Sequence, residues 1–351
     1  MNSVAASIKR CARKTGPLAS FFVVLLLALV VGCGSKPQSH SFAGQTMGTS
    51  YHVTVITAQP LPENLDEAIK GVLDGIDRKM STYKTDSELS NLNAAPVGEP
   101  FSVSAELMAV LELSAAIHRE TAGAFDPTVG ALVDLWGFGP HYREDQLLSK
   151  ADIDKLLMEV GFQGIELRPE SLMVIKNKDL SLDLSAVAKG YAADKVAELL
   201  RRQGLSRYMV EVGGEMALAG VNIRNTPWQI AIEQPLSSTR SVQRVVSVTD
   251  AGVATSGDYR NYFEKEGRRY SHTLDPRSGY PITHRLASVT VIADNSARAD
   301  ALATAFMVMG TKATLDYAAQ QNVPVLTLSK TGDGFKEDYS DAFKPYLNEV
   351  N

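Results

Sequence analysis

The order in which strand-like and helix-like segments follow one another constrains the fold of this chain more than any other feature of its sequence. Residues 51–57 alternate between apolar and polar side chains, which predicts a strand. Apolar residues recur at helical spacing over 63–78, 189–203 and 297–309, which predicts three helices. Strands and helices are interspersed without a strict βαβ alternation, which favours an α+β fold over a doubly wound parallel sheet. A helix capped by Ser104 and strands at 208–212, 228–233, 245–248, 269–273, 287–292 and 323–328 complete the prediction.

The N-terminal segment has the pattern of a targeting sequence. Four basic residues lie between Lys9 and Lys14, and an apolar run over 21–31 follows them. The run leads to Gly32-Cys33, where a small residue precedes a cysteine as in a bacterial lipobox. A transmembrane anchor is the alternative, but the run is shorter than the ~20 residues that a spanning helix needs. The sequence therefore predicts a signal peptide over 1–32, a tether over 33–45 that begins at a lipidated Cys33, and a single domain over 46–351.

Cysteine content and charge exclude several classes of protein. The only cysteines are Cys11 and Cys33, so the processed chain would have no thiolate nucleophile and no cysteine zinc site. Removal of the four basic leader residues, with no acidic residue among them, takes the formal net charge from −5 to −9. An acidic chain without a Lys/Arg cluster is a poor partner for nucleic acid. Residues 331–351 are polar and are expected to form a peripheral extension.

Asp300 and Thr304 form a candidate metal site. Residues four apart on a helix share a face, so the carboxylate and the hydroxyl would point to one place. Hard oxygen ligands of this kind suit Mg²⁺, which keeps coordination places for water and substrate phosphates. The alternative is structural, with an Asp at a helix start and a Thr that bonds back to the chain.

Other segments offer a base, an anion site and aromatic surface. His272 follows a predicted strand in a turn-rich setting, where it could accept a proton or simply cap a turn. Residues 182–191 run from a strand into a helix through small residues, and Lys189 adds charge to what would be a weak phosphate site. Aromatic residues in 123–127 and 135–138 could stack on a planar aromatic ligand or belong to the core.

Taken together, these segments resemble the ApbE family of FAD:protein FMN transferases in order and spacing. The motifs that carry the resemblance extend over nearly the whole of the processed chain. They are T-M-G-T-x-Y (46–51), M-S-T-Y-x-x-D-S-E (80–88), G-A-F-D-P-T-V-G (123–130), L-W-G-F (135–138), D-L-S-A-V-A-K-G-Y-A-A-D (183–194), V-G-G-E (212–215), A-T-S-G-D-Y-R (254–260), S-H-T-L-D-P (271–276) and A-D-A-L-A-T-A (299–305). Glu215 stands where many relatives have Asp, and Ser185-Ala186 replaces a common Gly-Gly pair.

The resemblance implies an ApbE-like α+β fold, with mixed or antiparallel sheets and packed helices in two lobes around a flavin-binding cleft. It implies a magnesium site at Asp300, Thr304 and the backbone carbonyl of Ala186, and a role in transfer for His272. Asp300 is a rival for the role of base. The positions that match FAD contacts are Met47, Tyr83, Ala124, Phe125, Asp126, Asp183, Lys189 and Leu274.

The implied reaction is the Mg²⁺-dependent transfer of the FMN moiety of FAD to a Ser or Thr hydroxyl of an acceptor protein, with release of AMP. A Mg²⁺-dependent FAD pyrophosphatase that yields FMN and AMP, and a non-catalytic FAD-binding lipoprotein, are the alternatives. The acceptors implied are subunits of the Na⁺-translocating NADH:quinone reductase or of Rnf-type complexes. The implied location is the periplasmic face of the inner membrane, through the lipid on Cys33. The sequence does not identify the acceptor or the oligomeric state.

Overall fold

The computed structural model describes residues 36–140, 149–235, 241–258, 262–265 and 268–348. Its strands are β1 (Gln38–Thr46), β2 (Thr49–Thr57), β3 (Pro100–Ser102), β4 (Ile165–Arg168), β5 (Met173–Lys176), β6 (Tyr208–Val212), β7 (Glu215–Ala219), β8 (Trp228–Glu233), β9 (Val242–Val248), β10 (Ala251–Gly257), β11 (Tyr262–Lys265), β12 (Arg268–Ser271), β13 (Leu274–Asp275), β14 (Tyr280–Pro281), β15 (Leu286–Ala293), β16 (Val325–Lys330) and β17 (Phe335–Tyr339). Its helices are α1 (Leu65–Met80), α2 (Glu88–Ala94), α3 (Ala105–Glu120), α4 (Gly130–Leu135), α5 (Lys150–Leu157), α6 (Ala188–Arg202) and α7 (Ser296–Gln321).

The main sheet has eight strands in the order β1-β2-β6-β7-β10-β15-β16-β17, and each neighbouring pair is antiparallel. A three-stranded sheet, β3-β5-β4, and three two-stranded sheets accompany it. The structure therefore confirms the α+β prediction, because a doubly wound fold would need parallel strands joined by helical crossovers.

The two faces of the main sheet are covered differently. Alternate residues of a strand point to opposite faces, so Val53 and Val55 of β2 join one apolar core and Ile56 joins another. The first core lies under helices α1, α3, α6 and α7, and the second lies under the β8–β9 hairpin. A smaller third cluster contains Leu132, Trp136, Ile153 and Leu274.

Polar side chains fix where the helices begin. The hydroxyl of Ser104 accepts the N–H of Leu107 at 3.2 Å, which confirms the predicted cap of α3. At the start of α7, the side chain of Asn295 accepts the N–H of Arg298 at 2.8 Å. The predicted helix over 297–309 stops at Gly310, whose left-handed φ of 77° interrupts α7 before a further helical segment runs to Gln321.

The predicted tether is wrong over residues 38–45, because these residues belong to β1. All nine residues of β1 pair with β2 across a tight turn at Met47-Gly48, both of which have positive φ. The strand lies at the sheet edge with one side largely exposed, so its polar composition resembles a linker. Cys33 and the remainder of the predicted leader lie outside the described residues.

The expectation of a peripheral C-terminal extension is also wrong. Strand β17 pairs with β16 along its full length, and Phe343 is completely buried in the second core. The charged residues between Phe335 and Tyr339 made this segment look uniformly polar, so the sequence did not indicate a strand. None of the helices in the described part of the chain is both long and apolar enough to span a bilayer.

Candidate functional site

Asp300 lies in the first turns of α7, at the place where this helix packs against α6. Its side chain is 3% exposed, and Oδ2 accepts the backbone N–H of Gly190 at 3.1 Å. The two helices touch closely here, because a Cβ on Gly190 would lie 2.4 Å from the carbonyl oxygen of Ser296. Asp194 adds a second link by accepting the N–H groups of Ser296 at 2.9 Å and Ala297 at 2.8 Å. The position of Asp300 is thus set by α6 as much as by its own helix.

Lys189 connects Asp300 to a second buried carboxylate. Its Nζ is 3.7 Å from Oδ2 of Asp300 and 3.6 Å from Oε1 of Glu215, and it donates to the carbonyl of Ser185 at 2.8 Å. Glu215 begins β7 after the turn at Gly213-Gly214, and Oε2 of Glu215 has no hydrogen-bond partner within the described residues. The pocket therefore holds two carboxylates and one ammonium.

Burial and charge act in opposite directions on these three groups. Burial raises the pKa of Asp300 and of Glu215, and the nearby Lys189 ammonium opposes that rise. Burial disfavours the ammonium too, but Asp300 and Glu215 outweigh it and raise the pKa of Lys189. Lys189 therefore stays charged and neutralises one of its two partners.

Thr304 and Ala186 border the same region. Thr304 follows Asp300 by one turn of α7, and its Oγ1 is 3.4 Å from Oγ of Ser256 on β10. Ala186 lies two residues before α6 and packs against the first core. No group of three or more His, Cys, Asp or Glu side chains in the described ranges is arranged to hold a metal. A cation beside Asp300 would therefore need hydroxyl, carbonyl and substrate oxygens as well, which fits Mg²⁺.

The turn between β1 and β2 also approaches Lys189. Met47 has a left-handed φ of 49° and is half-buried against the first core. The N–H of Gly213 donates to the carbonyl of Ser50 at 3.0 Å, and a Cβ on Gly213 would lie 2.8 Å from Thr49 and 3.0 Å from Cδ of Lys189. Glycine at 213 thus allows the T-M-G-T and V-G-G-E segments to meet at the lysine.

A cavity of about 240 Å³ lies between the end of α1, α2, α4 and the segment before α6. Its lining mixes polar and apolar surface and consists of Thr82, Ser90, Asn93, Ala94, Gly130, Asp134, Pro140, Ser181, Leu182 and Asp183. Asp183 is held in place because its N–H donates to the carbonyl of Pro127 at 2.7 Å. Its Oδ1 accepts the N–H of Ser185 at 2.7 Å. Asp183 therefore joins the cavity to the loop that contains Ala186.

Asn93 positions the cavity wall. Its Nδ2 donates to the carbonyl of Leu182 at 2.9 Å, and its Oδ1 accepts the N–H of the same residue at 2.8 Å. The carbonyl of Asn93 accepts a hydrogen bond from the buried Lys176 ammonium, whose pKa burial lowers. The sequence analysis did not single out Asn93, because nothing local distinguishes it from other polar helix residues.

Tyr83, Phe138 and His272 form a connected group. The hydroxyl of Tyr83 donates to the carbonyl of Phe138 at 3.3 Å, and the Tyr83 side chain is 70% exposed. The rings of Phe138 and His272 meet edge-on with centroids 6.2 Å apart. Leu274 lies two residues further on and is buried in the third cluster. The predicted base is therefore half-buried beside an aromatic ring rather than in open solvent.

The side chains of the 123–127 segment point into the protein. Ala124 and Phe125 are buried, and Asp126 accepts the N–H and the hydroxyl of Thr128 at 2.9 and 2.7 Å. The other carboxylate oxygen of Asp126 accepts the N–H of Phe162 at 3.2 Å. A contact between FAD and this segment would therefore come from backbone atoms. Phe125 belongs to the first core and Trp136 to the third cluster, so both rings are packed among apolar side chains.

Comparison with known proteins decides the relationship. The model of the ApbE family matches residues 47–327, which is most of the chain. The chain belongs to the ApbE family. The match begins at the Met47 turn and includes the whole Lys189, Glu215 and Asp300 pocket.

Individual ApbE relatives agree. The chain is 42% identical over 328 residues to the FAD:protein FMN transferase of Vibrio cholerae serotype O1, which covers 92% of this chain and 97% of that protein. It is 40% identical over 344 residues to the FAD:protein FMN transferase of Escherichia coli K12, covering 93% and 98% of the two chains. The solved flavin transferase ApbE from Vibrio cholerae superposes with a TM-score of 0.82 at 40% identity and covers 89% of this chain and 100% of that one. The apo form of the Pseudomonas stutzeri flavinyl transferase ApbE gives a TM-score of 0.82 at 36% identity. That match covers 90% of this chain and 99% of the other.

In this ApbE chain several of the predicted site residues fall into two groups. Asp300 pairs with Lys189, Thr304 lies one turn after Asp300, and Ala186 lies on the loop before α6. Asp183 lines the cavity, Tyr83 follows the lining residue Thr82, and His272 contacts Phe138, whose carbonyl accepts a hydrogen bond from Tyr83. The sequence analysis did not include the buried Glu215 or the half-buried Asn93 as site residues. The signal for Glu215 was its place after two glycines in the V-G-G-E motif.

Proposed function

We propose that this chain transfers the FMN moiety of FAD to a Ser or Thr hydroxyl of an acceptor flavoprotein and releases AMP, with Mg²⁺ as its cation. The support is family membership together with relatives named FAD:protein FMN transferase over more than nine-tenths of the chain. The structural observation that carries the proposal is the buried Asp300 carboxylate beside Lys189, which Ser185 links to Asp183 in the wall of the cavity.

The reaction exchanges one phosphoester for another. The acceptor oxygen forms a bond to the FMN-side phosphorus of FAD, the bond from that phosphorus to the bridging oxygen breaks, and AMP leaves with that oxygen. The hydroxyl proton passes to a base, and we assign this role to His272. Lys189 lies where its charge would attract the pyrophosphate. Asp300, Thr304 and the carbonyl of Ala186 would hold Mg²⁺, which when bound neutralises the pyrophosphate and stabilises the leaving phosphate.

The decisive assay uses the full chain with FAD, MgCl₂ and an acceptor peptide that contains one Thr. Covalent flavin on the peptide, seen as in-gel fluorescence and as the mass of an added FMN, supports transfer. Free FMN and AMP without a modified peptide would identify a pyrophosphatase instead. Bound FAD without turnover would identify a binding protein.

Asp300→Asn is expected to lower the transfer rate by at least about 10²-fold, since a bound cation contributes several kcal/mol to such a transition state. The matched control is Asp316→Asn, which changes a half-exposed acid on the same helix that pairs with Lys312 at 2.6 Å. The control should transfer at the rate of the unmodified protein. Equal rates for both variants would remove Asp300 from the site.

His272→Ala is expected to lower the transfer rate by about 10²–10⁴-fold, the usual contribution of a general base. His284→Ala is the control, because His284 lies two residues before β15 and its side chain is exposed. A His272→Ala variant that transfers at the normal rate would show that another group accepts the proton.

We also propose that Cys33 carries the lipid and holds the enzyme on the periplasmic face of the inner membrane, where subunits of Na⁺-translocating NADH:quinone reductase or Rnf-type complexes would be its acceptors. The pattern of residues 1–33 supports this location. A Cys33→Ser variant should lose incorporation of a labelled fatty acid and leave the membrane fraction. Retention of both properties in that variant would rule out Cys33 as the anchor.

A further inference from the structure

Glu215 is the least explained charged group in the structure. It is 6% exposed, and its Oε2 is buried without a hydrogen-bond partner among the described residues. Its other oxygen is 3.6 Å from Nζ of Lys189. Buried carboxylates are normally paired or bound to a metal, because a charge away from water is costly.

Lys189, the ammonium that contacts Glu215 in the described part of the chain, does not compensate it fully. Lys189 is shared between Glu215 and Asp300, at 3.6 and 3.7 Å, and it also donates to the carbonyl of Ser185. Lys189 can pair fully with only one of these two carboxyl groups, and burial raises the pKa of Glu215 to about 8. A buried water could satisfy the free oxygen of Glu215, but an ionised Glu215 would still need a second positive charge nearby.

We propose that Glu215 is a further residue of the cation site, whose free oxygen helps the Asp300 pocket to hold a divalent cation such as Mg²⁺ or Mn²⁺ beside the Lys189 ammonium. The inference rests on the proposed function for the identity of the cation. Without Glu215, Asp300 and Lys189 would form a neutral pair, and a cation would have to compete with the ammonium for the only carboxylate. With Glu215, the pocket accommodates both the ammonium and the cation.

The test measures Mn²⁺ binding to the full chain without FAD, by electron paramagnetic resonance of the free ion, so no turnover is involved. Glu215→Gln keeps the size of the side chain and removes its charge, and it should weaken Mn²⁺ binding by about 10–100-fold, as loss of a supporting group at a metal site typically does. Glu215→Asp restores the charge and should recover most of the affinity. Glu337→Gln is the matched control, because Glu337 is a largely buried glutamate of the same sheet that pairs with Arg244 at 2.7 Å.

Lys189→Met separates charge from structure. If the ammonium and the cation compete for these carboxyl groups, removal of the ammonium should tighten Mn²⁺ binding, whereas a purely structural role for the triad predicts weaker binding. The same Mn²⁺ affinity in Glu215→Gln and in the unmodified chain would overturn the inference, even if the enzyme transfers FMN normally. Conversely, Glu215-dependent Mn²⁺ binding in a chain that transfers no FMN would uphold the inference and refute the proposed function.

Discussion

Asp194 shows how a single carboxylate can serve the site without belonging to it. Its two oxygens accept the first backbone N–H groups of α7, from Ser296 and Ala297. These hydrogen bonds favour the ionised form, but burial is the larger effect and raises the pKa of Asp194 to about 6. The native state therefore binds this proton more tightly than the unfolded chain, in which the group has its ordinary value of 3.8.

The sign of the resulting pH dependence follows from proton linkage. The contribution of Asp194 to stability is fully present below the unfolded pKa and is lost as pH rises through the folded one. The quantity to compare is the difference in the free energy of unfolding between the unmodified protein and Asp194→Asn. We expect this difference to fall by up to about 3 kcal/mol between pH 4 and pH 7. Urea denaturation of both proteins at matched pH values measures this difference. A difference that grows with pH would mean that the hydrogen bonds outweigh burial.

The approach of α6 to α7 at Gly190 controls the site at the level of whole elements. Gly190→Ala would place a methyl group against the backbone of Ser296 and would displace the N–H that holds Asp300. We expect a loss of about 1–3 kcal/mol in the free energy of unfolding, as for overpacked contacts. Transfer activity should fall as well, because the carboxylate moves with the helix. Thermal unfolding and the peptide assay measure the two effects.

Gly71→Ala provides the control for that prediction. Gly71 lies within α1, and a Cβ there would meet no atom within 4 Å. The substitution should stabilise the protein by roughly 0.5–1 kcal/mol, because glycine is unfavourable inside a helix. Equal effects of the two substitutions would show that the helices tolerate a methyl group at the crossing.

Local signals predicted the four long helices well, but they did not predict the short helices α2, α4 and α5 or several of the strands. Helix α3 could be predicted from its apolar spacing and from the cap at Ser104, both of which are properties of the segment itself. Strand β10 is built from small residues such as Gly252 and Ala254 and has no alternating pattern, so the sequence did not indicate it. Strand β1 resembled a linker because an edge strand buries little of its surface.

The same distinction applies to the site. Asp300 and Thr304 share a helix, so their proximity could be predicted from their spacing. Glu215 meets Lys189 only through the arrangement of β7 and α6, and no pattern along the chain contains that contact. Asp183 and Lys189 were predicted as site residues mainly from the resemblance to a family. The residues around them in the sequence indicate their roles only weakly.

The molecule as a whole depends on its second core, which joins the C-terminal segment to the β8–β9 hairpin. Phe343→Ala should destabilise the protein by about 3–5 kcal/mol, the usual cost of removing a buried aromatic ring. Val242→Ala on β9 is the control, because Val242 is 57% exposed and its loss should change stability by less than about 0.5 kcal/mol. Chemical denaturation compares the two. A similarly small effect at Phe343 would mean that the C-terminal segment is dispensable for stability.

The early start of β1 limits how far the enzyme could stand from a bilayer. Only residues 34–37 lie between Cys33 and Gln38, where the first strand begins. The five Cα–Cα steps from Cys33 to Gln38 span no more than about 18 Å when the chain is fully extended. Under the proposed anchor, the edge of the sheet would rest close to the lipid headgroups. The enzyme would then reach hydroxyls that a membrane subunit exposes just above the lipid, and longer spacers inserted after Gly34 should progressively lift it beyond them.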